Sequence, residues 1–340
     1  MKNKNLIAVV VGIIILLTGI GVYQVTQEDP TEENLETSEM KTVGILQFVS
    51  HPALDQITAG IKEGLAESGY VEGENLQIAF QNGQADQSKL DTMSQQLVQE
   101  QSDVLIGVAT PAAQALANTT DELPILLGAV TDPVGAGLVA DTNEPGGNVT
   151  GVSDQPPVKA QIELAHELLP DAQKVGILYS SAEANSKYQV AQAEEAAANE
   201  GLAVNKKAVS STNEIAQAVQ VLAKDVDFIY VPLDNTIASA METVVTEADK
   251  NDTPVIPSVD TMVEQGGLAT VGINQKELGI QTGKMAAEIL DGNAEPATTP
   301  IYTFTEGDTI INEEQLARFN LEISTELEDE AKLVTTTKGE

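Results

Sequence analysis

The sequence predicts an α/β protein of two Rossmann-like lobes, each built on a parallel sheet, preceded by an apolar N-terminal segment. Three observations carry this. Short strands that are apolar at nearly every position alternate with helices whose apolar residues recur at spacings of three and four, the pattern of a parallel sheet covered on both faces. The alternation occurs twice: KTVGIL at 41–46 is matched by KVGILY at 174–179, and DVLIGV at 103–108 by DFIYV at 227–231. The chain has 340 residues, enough for roughly two domains of about 150 residues each.

Residues 6–23 form one apolar run, interrupted only by Gly12, Thr18, Gly19 and Gly21 and preceded by Lys2 and Lys4. A short positive region before a hydrophobic core marks an exported protein, and the run has the minimum length of a membrane-spanning helix. The small-residue pattern of a cleavage site is poor here, so the segment reads as an uncleaved anchor, with a cleaved signal peptide as the alternative. The positive-inside rule then places Lys2 and Lys4 in the cytoplasm and the remainder at the extracellular face. Residues 24–41 are acidic and lack apolar periodicity, so they read as a disordered tether.

In the first lobe, strand 41–48 is followed by a helix carrying Leu54, Ile57, Ile61 and Leu65 on one face and ended by Gly69. Strand 76–80, helix 88–101, strand 103–108, helix 111–118 and strand 124–130 follow. In the second lobe come strand 174–179, helix 188–200 and strand 202–208. Ser211 with Glu214 fits a capping box. Strand 227–231, a single helix over 237–250 and strand 254–256 complete the repeat. Residues 267–273 read as a strand, 275–290 as a helix, 300–320 as strands with a short helix, and the rest as a polar end. The expected organisation is anchor 1–23, tether 24–41, first lobe 42–151 with 274–305, second lobe 152–273 with 306–325, and tail 326–340.

Composition excludes several functions. There are 52 acidic and 17 basic residues, a formal net charge of −35, which repels polyanions and rules out a nucleic-acid groove. Arg318 is the single arginine, so arginine clamps for phosphates are missing. With no cysteine and two histidines, thiolate catalysis, lipid-modified cysteine and most metal sites drop out. No nucleophile elbow, H-E-x-x-H, P-loop or G-x-G-x-x-G after a strand occurs. The reading is therefore of a binding protein, without an enzymatic activity, cofactor or metal.

In open α/β sheets ligands bind beyond the carboxyl ends of the strands. In the first lobe those ends supply Phe48, Ser50 and His51, then Thr110, Pro111 and Ala112, then Thr131 and Asp132. In the second they supply Ser180, Ser181 and Asn185, then Asp234 and Asn235, then Ser258 and Asp260. Thr110-Pro111 reads as an N-cap followed by proline at the first helical position. The free N–H groups of such a helix start suit a carboxylate, with Thr131 adding a hydroxyl. Asp234 or Asp260 would face an ammonium group from the opposite lobe, and Phe48 or His51 would supply a flat contact. The plainer alternative is that Thr110, Ser211 and Asp234 are helix caps only, and that Phe48 belongs to the core.

The segments LQFVSHPALD, GVATPAAQALA, AVTDPVGAGLV, PGGNVTGVSD, LYSSAEANS and VPLDNTIAS, in this order and spacing, resemble the solute-binding proteins of ABC-type importers. The branch they resemble is associated with uptake of tryptophan and other aromatic amino acids in Gram-positive bacteria. The resemblance covers about residues 41–321. It implies a type I periplasmic-binding-protein fold with a three-strand hinge, an amino acid ligand (L-tryptophan foremost), and delivery to a membrane permease driven by a separate ATPase. It implies the ligand carboxylate on Thr110, Ala112 and Thr131, and the amine on an acid such as Asp234. The lipobox cysteine common in such proteins is missing, which leaves residues 6–23 as the anchor. The alternative is a protein of the same fold for another solute, such as a sugar or nucleoside.

Overall fold

The structure, a computed structural model, describes residues 40–304 and 306–337. The expected anchor and most of the tether lie outside the described residues. Among the described residues no helix is long and apolar enough to cross a membrane.

The first half runs β1 (Lys41–Gln47), α1 (Pro52–Glu67), β2 (Leu76–Asn82), α2 (Gln87–Gln99), β3 (Val104–Val108), α3 (Thr110–Thr119), β4 (Ile125–Gly128) and β5 (Val149–Ser153). The second runs α4 (Val158–Leu168), β6 (Lys174–Ser180), α5 (Ala184–Asn199), β7 (Ala203–Val209), α6 (Ile215–Leu222), β8 (Phe228–Val231), α7 (Asn235–Ala238), α8 (Met241–Asp249), β9 (Val255–Pro257) and α9 (Asp260–Glu264). The chain ends with β10 (Ala269–Gly272), α10 (Gln275–Leu290), β11 (Tyr302–Thr303), β12 (Asp308–Asn312), α11 (Glu313–Phe319), α12 (Thr325–Glu330) and β13 (Lys332–Val334).

β1, β3, β4 and β5 are almost wholly buried, as uninterrupted apolar strands must be inside a covered sheet. They form a parallel six-stranded sheet in the order β11-β5-β4-β3-β1-β2. The second lobe has a parallel sheet β7-β6-β8-β9 and a smaller sheet β10-β12-β13, in which β10 and β12 are antiparallel. One apolar core fills the first lobe, and two others lie in the second. The chain passes between the lobes three times: from β5 to α4, from β10 to α10, and from β11 to β12.

In each parallel sheet the strand order reverses beside the first strand, between β1 and β3 and between β6 and β8. Such switch points open a crevice at the carboxyl ends. The two crevices face each other.

α10 returns to the first lobe and packs on α1 with almost no gap. A Cβ placed on Gly60 would stand 2.2 Å from the Lys276 carbonyl oxygen, and one on Gly64 2.2 Å from that of Ile280. Gly279 and Gly283 answer from the other side, at 2.0 Å from Ile57 O and 2.3 Å from Ile61 O. Two glycines on each helix, four residues apart, thus let two backbones touch, which fixes the middle of α1 against the first half of α10.

Several local expectations are corrected. The single helix over 237–250 is two, α7 and α8, broken at Ser239 and Ala240; the Ser239 hydroxyl donates to Thr236 O and closes the short first helix. Thr110 is not the cap of α3 but its first residue; the N-cap is Ala109, held at φ 75 and ψ 155. The Ser211–Glu214 box is not formed as such: Glu214 reaches back to Ser210, accepting from its N–H and its hydroxyl, and Ser211 makes no side-chain cap. The polar end is not a bare tail, since α12 and β13 occupy it and β13 pairs parallel with β12.

Candidate ligand-binding site

Between the lobes lies a cavity whose lining comes wholly from strand ends and helix starts. The first lobe contributes His51, Ala53 and Leu54 from α1, Ala109 and Thr110 after β3, Ala129 and Thr131 after β4, Asp154 after β5, and Gln275 from α10. The second contributes Asn185 from α5, Leu233, Asp234, Asn235 and Ala238 after β8, and Val259 and Met262 after β9. One part of the wall is apolar (Leu54, Leu233, Val259, Met262) and another carries acceptors and donors.

Six residues expected from the sequence meet here: His51, Thr110, Thr131, Asn185, Asp234 and Asn235. Phe48 and Pro111 line a neighbouring hollow with Glu183 and Thr236, and Asp132 lines another with Tyr188. The remaining six lie elsewhere. Ala112 is packed into the first-lobe core. Ser50 is bound to Asp55 on the outside. Ser180 is fully buried beneath Asp234, and Ser181 donates to Val209 O. Ser258 belongs to a core network, where its hydroxyl donates to Val231 O and lies 3.1 Å from the Tyr230 hydroxyl. Asp260 accepts from the Thr261 N–H and does not line the cavity.

Asp234 is buried and occupied by its own lobe. One oxygen accepts from Ile237 N at 2.9 Å; the other accepts from Ser180 N and from the Ser186 hydroxyl at 2.7 Å. Glu183, also buried, accepts from Thr236 N and Oγ1 with one oxygen and from Asn235 N and Nδ2 with the other. Two carboxylates therefore saturate the start of α7, a strong arrangement because the acceptors are charged and the donors are orphan helix N–H groups. Burial and the neighbouring charge of Glu183 push the Asp234 carboxyl up.

Asp154 differs. It is 8% exposed, and its one side-chain partner is the Thr131 hydroxyl, which donates to Oδ1 at 2.9 Å. Burial pushes its carboxyl up to about 6, against the lowering effects of that hydrogen bond and of its own backbone N–H. Sequence reading overlooked it because it assigned no strand to residues 149–153, so Asp154 did not stand at a strand end. Leu54, Leu233, Val259, Met262 and Gln275 were overlooked too, since nothing local separates a cavity wall from core. Ala109 and Ala129 end adjacent strands and both have positive φ, 75° and 69°. Such backbone costs a non-glycine residue of order 1–3 kcal/mol and clusters at functional sites.

Among the described residues no group of three or more His, Asp or Glu is placed to hold a metal ion.

The fold and the cleft define a two-lobed ligand-binding protein, and comparison places it. The family described as ABC transporter substrate binding protein matches residues 42–335, and the chain belongs to that family. Substrate-binding proteins of ABC transporters are extracytoplasmic, bind a small molecule and work with the other transporter components. The chain is 35% identical over 325 residues to a tyrosine-binding protein of Clostridioides difficile, covering 95% of this chain and 94% of the relative. A solved domain from Streptococcus pneumoniae in complex with L-Trp is 48% identical, with a TM-score of 0.84 over 86% of this chain and 99% of that one. A ligand-free, open substrate-binding protein with adhesive properties from Clostridium difficile is 38% identical, with a TM-score of 0.68 over 87% of this chain and 100% of that one. A myo-inositol-bound solute-binding protein from Bacillus halodurans, 16% identical with a TM-score of 0.58, shares the type I periplasmic-binding-protein fold.

Proposed function

We propose that this protein captures an aromatic amino acid, with L-tryptophan foremost, in the cleft between its lobes and hands it to the permease of an ABC importer without transforming it. The observation that carries this is the likeness, at 48% identity, to a domain that holds L-Trp, joined by the relative named for tyrosine. The cleft supports it chemically. An α-amino acid with a flat side chain needs an anion site, a cation site and an apolar slot. Thr110 with the N-terminus of α3 suits the carboxylate, buried acid suits the ammonium, and Leu54, Val259 and Met262 suit a ring. In this reading the three crossings act as the hinge, residues 6–23 hold the protein at the outer face of the membrane, and the acidic tether spaces it from the surface.

Calorimetry of the purified protein against the standard amino acids tests the reading. Tryptophan or tyrosine binds one to one, and raises the melting temperature by mass action. If no standard amino acid binds more tightly than about 1 mM, the reading is lost.

A further inference from the structure

Two carboxylates line the cavity, Asp154 and Asp234, and a third, Glu183, lies beside it; Asp154 is the one left with capacity. Both oxygens of Asp234 are taken by donors of its own lobe, and so are both oxygens of Glu183. Asp154 has the Thr131 hydroxyl on Oδ1, and no salt bridge among the described residues reaches it. A buried carboxylate without a cationic partner is costly, so such a group marks a place where a cation belongs.

A second, independent observation lies across the cleft. The Asn185 side chain donates through Nδ2 to Leu233 O at 2.8 Å, which fixes the direction of its amide. Its Oδ1 is buried with no hydrogen-bond partner. Asn185 and Asp154 line the same cavity, one from each lobe. A charged acceptor and an orphan neutral acceptor on two residues that line one cavity call for a cation with at least two N–H donors, which a primary ammonium supplies.

We propose that Asp154 and the Asn185 Oδ1 together seat the α-ammonium of the ligand, with Thr131 as the positioning residue that holds the Asp154 carboxylate. The assignment rests on the amino acid reading above and sharpens it. Asp234 and Glu183 become structural caps of α7. The Thr131 hydroxyl, committed to Asp154, is no longer a donor for the ligand carboxylate. Because one acceptor comes from each lobe, the ammonium ties the lobes together, so an amine-free analogue binds without closing the cleft fully.

The test compares each amino acid that binds with its des-amino acid: tryptophan with indole-3-propionate, tyrosine with 3-(4-hydroxyphenyl)propionate. The wild-type protein prefers the amino acid by roughly 30- to 100-fold, the worth of a charge-assisted hydrogen bond. Asp154→Asn and Asn185→Leu each shrink that preference, Asp154→Asn to within about threefold, mainly by weakening the amino acid. Asp234→Asn lowers the melting temperature and keeps the preference. Thr131→Val keeps the carboxylate, loosens its orientation and gives an intermediate ratio, so the test stands even if Asp154→Asn does not fold. An unchanged ratio in Asp154→Asn or Thr131→Val, or its loss in Asp234→Asn, overturns the assignment while the amino acid reading survives. A wild-type protein that binds no amino acid overturns both.

Discussion

The imidazole Nε2 of His51 lies 3.1 Å from Oδ1 of Asn235, in a buried contact that joins the start of α1 in one lobe to the start of α7 in the other. Asn235 Nδ2 donates to Glu183, so its Oδ1 is the acceptor and His51 the donor. The sequence separation is 184 residues. This is a direct interlobe tie in the cavity wall.

Burial holds the His51 imidazole below its usual value of 6.5, against the raising effects of Asn235, Glu183 and Asp55. The form in which His51 is buried between the lobes thus prefers a neutral imidazole, and a separation of the lobes that hydrates the ring would relieve that preference. Its contribution to closure is present above the usual value and is lost as the pH falls below it. Asp154 and Asp234, raised by burial, act in the opposite sense, since their closed forms hold protons more tightly. The His51 effect is read as a difference: between about pH 7.5 and 5.5, small-angle scattering shows more opening in the ligand-free wild type than in His51→Gln. Equal pH responses of the two proteins would remove the role assigned to His51.

Asp234→Ala leaves Ser180 N, Ile237 N and the Ser186 hydroxyl without their acceptor. Unfolding in urea is expected to show a loss of about 2–4 kcal/mol, the range for a broken buried network. A loss under about 0.5 kcal/mol would mean that the cap is dispensable.

Gly64→Ala forces a methyl group against the Ile280 carbonyl of α10. The expected cost is about 3 kcal/mol or more, because backbone cannot yield as a side chain does. Gly69→Ala is the control: its φ of 93° is strained for alanine, but nothing stands within 4 Å of the added Cβ. That change costs only about 1–2 kcal/mol. Chemical denaturation of both variants decides, and equal losses would refute the close-contact account.

Ala109 caps α3 with φ 75 and ψ 155, a conformation natural to glycine. Ala109→Gly is expected to stay within about 1 kcal/mol of wild type, relief of strain offsetting the greater freedom of the unfolded chain. Ala109→Val is expected to lose about 2 kcal/mol or more, since a β-branched residue resists positive φ. Thermal melts in the presence and absence of tryptophan measure both; a stable valine variant would show that the strain is not real.

The elements most legible in the sequence are those set by local pattern. β1, β3, β4, β6 and β8 were readable because an uninterrupted apolar run has few other homes, and α10 matches the expected 275–290 because its apolar spacing is regular. His51, Thr110, Thr131, Asn185, Asp234 and Asn235 were reachable because strand ends point to a crevice in any sheet of this kind. The break between α7 and α8 was hidden, since Thr236 and Ser239 act through the folded turn and not through propensity. β13 was hidden because three residues carry too little pattern to show a strand until β12 is beside them.

The sequence by itself determined the fold class, the two-fold repetition of its strand–helix pattern, and a heavily acidic character that turns away polyanions. Periodicity and charge are properties of neighbours along the chain, so they are written there. Tertiary structure alone decided which acid is free. With 52 acidic residues, composition cannot separate Asp154 from Asp234. That distinction depends on donors far away in sequence: Ser180 and Ser186 reach Asp234 across 54 and 48 residues, and Thr131 reaches Asp154 across 23. A carboxylate's availability is a sum over its spatial neighbours, and folding brings those neighbours together.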